Sequence, residues 1–148
     1  MAKVILSTGG NLGEMKPMLH RAQEMVNDQI GPVLRCSHRY KSEPWGFENP
    51  EGVGRFSNQV LVCDTDLTPR QVLEKVQAIE AALGRDRTAE AAEKARTGQP
   101  YASRVIDIDI LFYDNETINE PDLQIPHPRI AEREFVLAPL RELGLYKL

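Results

Sequence analysis

Residues 104–114 read RVIDIDILFYD, and their spacing predicts a β-strand with two unlike faces. Side chains alternate across a strand, so Ile106, Ile108 and Ile110 point one way, while Asp107 and Asp109 point the other, beside Val105 and Leu111. The isoleucines form the core-facing set. Carboxylates two residues apart on a strand lie about 6–7 Å apart, close enough to supply oxygens to divalent cations between them. Mg²⁺ suits such a pair, because it takes hard oxygen ligands and is commonly held by one or two carboxylates together with substrate phosphates. The same pattern also describes the solvated face of an antiparallel sheet. The strand alone does not choose between the two.

Working upstream, residues 85–104 carry five bases (Arg85, Arg87, Lys94, Arg96 and Arg104) against three acids (Asp86, Glu90 and Glu93) in a chain whose net charge is −4. Guanidinium groups grip phosphate oxygens in pairs and stay charged at any working pH. Arg104 at the start of the strand and Arg85 just before the polar segment, set beside paired carboxylates, are the ingredients of phosphoryl transfer. Arginines near a helix C-terminus also serve simply to offset its dipole. The stretch AEAAEKA predicts a short helix; the polar segment 85–103 as a whole is expected to be mobile without ligands and to close over a bound nucleotide.

The helix before it is strongly signalled. Thr68 and Gln71 fit a capping box, Pro69 takes the first helical position and Gly84 stops the helix. Val72, Val76, Ile79 and Leu83 make its apolar face; Gln77 and Glu80, three residues apart, share another face available to a site. Earlier still, Lys3–Ser7 predicts a strand, and GGNLGE turns the chain into a helix with apolar positions Met15, Met18, Leu19, Ala22, Met25 and Val26, ended by Gly31-Pro32. The runs VLRCSHRYKS and FSNQVLVCDT predict two further strands, joined by the Gly/Pro-rich EPWGFENPEGVGR, which is long for a hairpin loop. The order strand, helix, strand, strand, helix, strand is the split βαβ pattern: an α+β, ferredoxin-like βαββαβ fold with one antiparallel sheet covered by helices on one face. At 148 residues the chain reads as a single domain, 1–148.

Downstream, IPHPRIAEREFVLAPL sets His127 between two prolines, with Arg133 and Phe135 close behind. His127 reads as a turn residue or a hydrogen-bond donor to phosphate; no second suitably spaced His or Cys suggests zinc. Phe56 and Phe135 read as core aromatics or as stacking surfaces for a planar heterocycle. STGGNLG has neither the P-loop nor the dinucleotide-binding spacing and reads as a turn. Cys36 and Cys63 are expected to be buried, reduced thiols, since two cysteines are too few for a disulfide framework. The composition, 41% apolar and 27% charged, is that of a soluble globular protein. No run approaches the roughly 18 apolar residues of a membrane span, and the net negative charge argues against nucleic acid and membrane partners. A cytoplasmic location is expected; the oligomeric state is not legible.

Taken together, SRVIDIDILFYD, the following IPHPR and REFVLAPL, the preceding Gln77, Glu80 and LGRDR, and the N-terminal GGNLG, YKSEPWG and FSNQV resemble, in order, the 6-hydroxymethyl-7,8-dihydropterin pyrophosphokinases of folate biosynthesis. The resemblance covers nearly the whole chain. It implies a ferredoxin-like fold and transfer of pyrophosphate from ATP to the pterin hydroxymethyl group, releasing AMP. Carried over by position, Asp107 and Asp109 match ligands of two Mg²⁺ ions, and Arg85 and Arg104 match arginines that hold phosphates. Gln77, His127 and Arg133 match nucleotide-binding positions, with Glu80 an acidic position near the nucleotide. Phe56 and Phe135 match aromatics that sandwich the pterin, Asn58 an amide at its edge, and Ser42 and Trp45 a loop that contacts it. Tyr101 stands where many members have a tryptophan that closes the site, and the loop before it, with Arg87 and Arg96, is longer than in many. The implied partners are the two small-molecule substrates. A non-catalytic ferredoxin-like binding module, or a kinase with another acceptor alcohol, remains a different reading of the same scaffold.

Overall fold

Two of the expected strands, Ala2–Gly10 (β1) and Phe56–Thr65 (β4), pair antiparallel over nine residues and form the centre of the main sheet, buried along most of their length. The computed structural model describes residues 1–42, 55–98 and 105–145. Along them the remaining elements are α1 (Met15–Gln29), β2 (Val33–Cys36), β3 (Tyr40–Ser42), α2 (Pro69–Ala82), α3 (Arg87–Thr97), β5 (Asp107–Tyr113), β6 (Ile118–Glu120), β7 (Leu123–Ile125), a 3₁₀ turn (Ile130–Glu132) and α4 (Glu134–Glu142). The main sheet has the order β2-β4-β1-β5, with β3 also on β4 and every pairing antiparallel. Helices α1 and α2 each cross between strands separated by one antiparallel neighbour, which is the expected ferredoxin-like arrangement. β6 and β7 form a separate hairpin.

Helix α1 buries Leu19, Ala22 and Val26, and α2 buries Val72, Val76 and Ile79, against Val4, Leu6, Leu61, Cys63, Ile106, Ile108 and Ile110. Each buried Val, Leu or Ile among them contributes about 1.5–3 kcal/mol. The capping box of α2 is present as expected: Thr68 Oγ1 accepts from Gln71 N at 3.2 Å, and Gln71 Oε1 accepts from Thr68 N at 2.9 Å. Gly84 follows the helix with φ of 103°, in the region that only glycine enters freely. Gly31 is needed for a close approach rather than for its φ, since a Cβ there would lie 1.7 Å from Asp64 O.

Several expectations are corrected. The sheet is not covered on one face only: α4 and the 3₁₀ turn bury Ile130, Val136, Leu137 and Leu140 on the opposite face, against Ile5, Val60, Val62 and Leu111. A β-bulge opposite Ile5 and Leu6 brings Leu111 and Phe112 to this second core before Tyr113 returns to the first. Val105 packs with the isoleucine side, not beside the aspartates. The run 33–42 is broken into β2 and β3, because residues 37–39 step along the edge of β4: Ser37 N donates to Val60 O and Val60 N donates to Ser37 Oγ. Both thiols are free; Cys63 is buried as expected, but Cys36 is exposed on the edge strand β2. STGG is not a turn but the end of β1. No helix among the described residues is long and apolar enough to cross a membrane.

Candidate active site

The α4 half of the second face is apolar; the other half is where the polar residues gather. Asp109 pairs with Ser7 and Asp107 with Gly9 across β5 and β1, and Gly9 in turn pairs with Asn58 on β4, itself opposite Tyr40 on β3. Asp107, Gly9, Asn58 and Tyr40 therefore make one row across four strands. At about 4.8 Å per strand, Asp107 and Asn58 stand roughly 10 Å apart with a bare glycine between them. That glycine is required: a Cβ on Gly9 would come within 2.6 Å of Asn58 Oδ1 and 3.1 Å of Ser57 O. The result is a flat floor with carboxylates at one end and an amide at the other. Phe56, two residues before Asn58, faces the same side beside Ser42, and Phe135 at the start of α4 packs on the same face.

The carboxylate end is densely charged. Asp107 and Asp109 keep 26% and 30% of their side-chain surface exposed, so both carboxylates can meet a ligand. Burial in the surrounding protein, followed by repulsion from Asp107, holds the pKa of Asp109 well above the usual carboxylate range; Arg133 opposes this, and a hydrogen bond with Asp107 and the charge of Glu80 add to it. Arg133 Nη1 lies 3.8 Å from Asp109 Oδ2, and the guanidinium sits 5.8 Å from the centre of the Phe135 ring.

Arg85 is tied to carboxylates on every side. Its Nη1 donates to Glu80 Oε2 at 2.7 Å and to Asp107 Oδ1 at 2.9 Å, while Nε and Nη2 grip both oxygens of Glu90 at 2.9 and 3.1 Å. Burial lowers its pKa, but the hydrogen bonds to Glu90 and the charges of Asp107, Glu80 and Glu90 outweigh that and raise it. Glu80 is 3% exposed. It supplies what the sheet edge lacks: β5 is an outer strand, and its Ile108 N–H donates to Glu80 Oε2 at 2.8 Å. Burial raises the Glu80 pKa, the Ile108 bond lowers it, Asp107 raises it, and Arg85 and Arg87 lower it. Gln77 shares no environment with it; Glu80 is buried while Gln77 is exposed. Three residues apart, they stand about 60° apart around the helix axis and one turn apart along it, so Glu80 lies at the edge of the face packed on β5 and Gln77 just beyond it in solvent.

His127 is fixed by its backbone N–H, which donates to Leu111 O at 3.1 Å, and its Nδ1 accepts from Arg129 N at 3.2 Å. Burial first, then Arg133, lowers its pKa; Asp107 raises it and Arg129 lowers it further. It lines a cleft of about 260 Å³ between α2, β5 and the β6–β7 hairpin, with Leu73, Ile108, Asp109, Ile110, Leu123 and Gln124 among its walls. Sequence reasoning missed Leu73 and Gln124, which carry no distinctive motif and become neighbours only through the hairpin. It also left Glu90 without a role. Trp45, Tyr101 and Arg104 lie outside the described residues, as does most of the loop between β3 and β4. Arg87 approaches Glu80 at 3.4 Å, whereas Arg96 lies exposed near the end of α3.

Comparison with known proteins gives a consistent picture. Residues 5–144 match the family profile described as 7,8-dihydro-6-hydroxymethylpterin-pyrophosphokinase. A 2-amino-4-hydroxy-6-hydroxymethyldihydropteridine pyrophosphokinase of Porphyromonas gingivalis is 39% identical over 97% of this chain and 92% of its own length. Proteins of the same description from Aquifex aeolicus and Bacillus subtilis are 36% and 34% identical, over 97% and 93% of this chain and 81% and 75% of their own lengths. Among solved structures, Plasmodium falciparum HPPK-DHPS wild type with SDX-DHP aligns with a TM-score of 0.71 at 17% identity, over 99% of this chain and 41% of that one. An HPPK-DHPS in complex with substrates aligns with a TM-score of 0.71 at 16% identity, over 99% of this chain. This chain thus spans about 41% of those longer chains, and at such identity they speak for the fold.

Proposed function

Since the chain belongs to the 7,8-dihydro-6-hydroxymethylpterin-pyrophosphokinase family, we propose that it transfers the terminal pyrophosphoryl group of ATP to the hydroxymethyl oxygen of 6-hydroxymethyl-7,8-dihydropterin in the cytoplasm, as a single domain spanning 1–148. The observation that carries this reading is the floor with two ends: paired carboxylates Asp107 and Asp109, and Asn58, on opposite sides of Gly9. The hydroxymethyl oxygen attacks the β-phosphorus and gives up its proton to the medium, the bond from that phosphorus to the oxygen bridging it to the α-phosphate breaks, and AMP leaves with that oxygen and its electron pair. Little covalent chemistry is asked of the protein, so positioning and charge neutralisation carry the catalysis.

The donor set suits Mg²⁺. Two adjacent carboxylates, with the Asp109 pKa raised by burial first and then by repulsion from Asp107, are stabilised by a divalent cation, and one or two carboxylates completed by phosphate oxygens and water are its usual environment. Asp107 and Asp109 would hold two such ions, which when bound neutralise the triphosphate and align the attack. Arg133, beside Asp109, and Arg104 take phosphate oxygens. The cleft walled by Leu73, Ile110 and His127 receives the nucleoside, with Gln77 at its rim and Glu80 fixing β5 behind it. At the other end Asn58 hydrogen-bonds the pterin edge, Phe56 and Phe135 stack on its faces, and Ser42, Trp45 and Tyr101 complete its enclosure.

Supplying ATP and the hydroxymethyl dihydropterin with Mg²⁺ is expected to yield AMP and the pterin diphosphate; ADP as the nucleotide product overturns the reaction. Asp107→Ala and Asp109→Ala are each expected to lower kcat by at least about 100-fold, the usual scale for removing an electrostatic stabiliser, with the cooperative fold retained. Near-normal turnover in both variants overturns the metal assignment.

A further inference from the structure

Asn58 is 4% exposed, and its side-chain amide is held from behind by the edge strand β3. Nδ2 donates to Tyr40 O at 3.3 Å and to Ser42 Oγ at 3.0 Å, so both amide hydrogens are directed at this strand. The rotation of the amide therefore depends on where β3 sits. Yet β3 has only three residues, pairs with β4 alone among the described strands, and none of its side chains is fully buried. Apolar packing does not fix it. Beyond its ladder to β4, one carboxylate ties it to the body of the molecule: Glu142 Oε1 accepts from Tyr40 OH at 2.6 Å, and the same carboxylate accepts from His38 N at 3.1 and 3.2 Å and meets His38 Nδ1 at 2.9 Å. Glu142 stands on the last turn of α4, whose Val136, Leu137 and Leu140 are locked into the second core at 2%, 6% and 0% exposure.

Building on the proposed function, we infer that Tyr40 and Glu142 are positioning residues for the acceptor substrate, transmitting the rigidity of α4 through β3 to the Asn58 amide. Neither residue is required to touch the substrate. The connection runs from a packed helix, through one charge-assisted hydrogen bond, to a backbone carbonyl and a hydroxyl that orient the recognising amide. A misoriented amide weakens recognition of the heterocycle edge without altering the carboxylate end of the floor, two strands away. The effect is thus confined to one substrate.

The test is steady-state kinetics with each substrate varied, beginning with the wild-type protein. Tyr40→Phe removes only the hydroxyl and is expected to raise KM for the hydroxymethyl dihydropterin about five-fold, the scale of one hydrogen bond, with kcat and KM for ATP within about two-fold. Glu142→Ala moves the same parameter at least as far. Glu142→Gln keeps an acceptor oxygen for Tyr40 and recovers most of the loss. Glu134→Gln, at the exposed opposite end of the same helix, leaves both KM values unchanged. In ¹⁵N spectra the Asn58 side-chain amide hydrogens exchange about three-fold faster in Tyr40→Phe than in wild type. An unchanged pterin KM in folded Tyr40→Phe, or equal rises for both substrates, overturns the positioning role and leaves the enzyme assignment standing. No turnover by the wild-type protein overturns both.

Discussion

Arg85 shows how a single side chain can be occupied by the wrong partner for its proposed task. Its Nε and Nη2 present the paired donors that a phosphate would take, and Glu90 already holds both of them. Removing Glu80, whose side chain is 4% exposed and which also accepts from Ile108 N, breaks a buried network and costs about 3–5 kcal/mol. Glu90 is itself largely enclosed, with 11% of its side chain exposed, but none of the residues of its helix α3 is fully buried, so little apolar packing holds it there. A phosphate on Arg85 is expected to replace Glu90 while leaving the bond to Glu80 in place. Glu90→Gln is accordingly expected to tighten binding of a non-hydrolysable ATP analogue about five-fold, or ~1 kcal/mol, measured by calorimetry. Weaker or unchanged binding would show that Glu90 does not compete. Asp107 and Asp109 were legible in the sequence as a pair on one face. The engagement of Arg85 by three carboxylates was not, since Glu80, Glu90 and Asp107 come from three different elements.

At the scale of elements, α2 was the most legible part of the chain because its signals are local. Thr68, Pro69, Gln71 and Gly84 each act within a turn or two of themselves, and the helix begins and ends where they dictate. Thr68→Ala is expected to remove about 1 kcal/mol of stability, read from the midpoint of urea unfolding at unchanged slope. The effect should exceed that at the exposed Thr88, beyond the cap of α3, by several-fold. Beside α2, the β6–β7 hairpin is pinned by Arg70, which pairs with Glu120 and, at 2.6 Å, with Asp122. These exposed contacts add little energy, but they orient the wall of the cleft that holds His127. Nothing in the short runs INE and LQI announces a hairpin, so that wall was invisible in advance. The same holds for α4, whose apolar residues needed a second sheet face before they had a place to go.

For the whole molecule, the consequence of two cores is that the central strands β1 and β4 are covered on both sides. Cys63 lies on β4, fully buried, and burial, followed by the nearby charge of Asp64, pushes its thiol up to about 12. At pH 8 only about one molecule in ten thousand carries its thiolate, while Cys36 stands exposed on β2. A maleimide at pH 8 is expected to modify Cys36 within minutes and to leave Cys63 untouched until denaturant unfolds the chain. Prompt double labelling, followed by mass spectrometry, would contradict the covered sheet. The sequence by itself determined the order of the βαββαβ core, the capping of α2, the isoleucine face and the aspartate pair, because periodicity and capping act over a few residues. Only the tertiary structure decided that the other sheet face is half covered, that Gly9 separates the two ends of the floor, and that Tyr40 and Glu142 meet. Those depend on cross-strand register and on a helix more than 100 residues away, where what a side chain contacts is set by packing rather than by its neighbours in the chain.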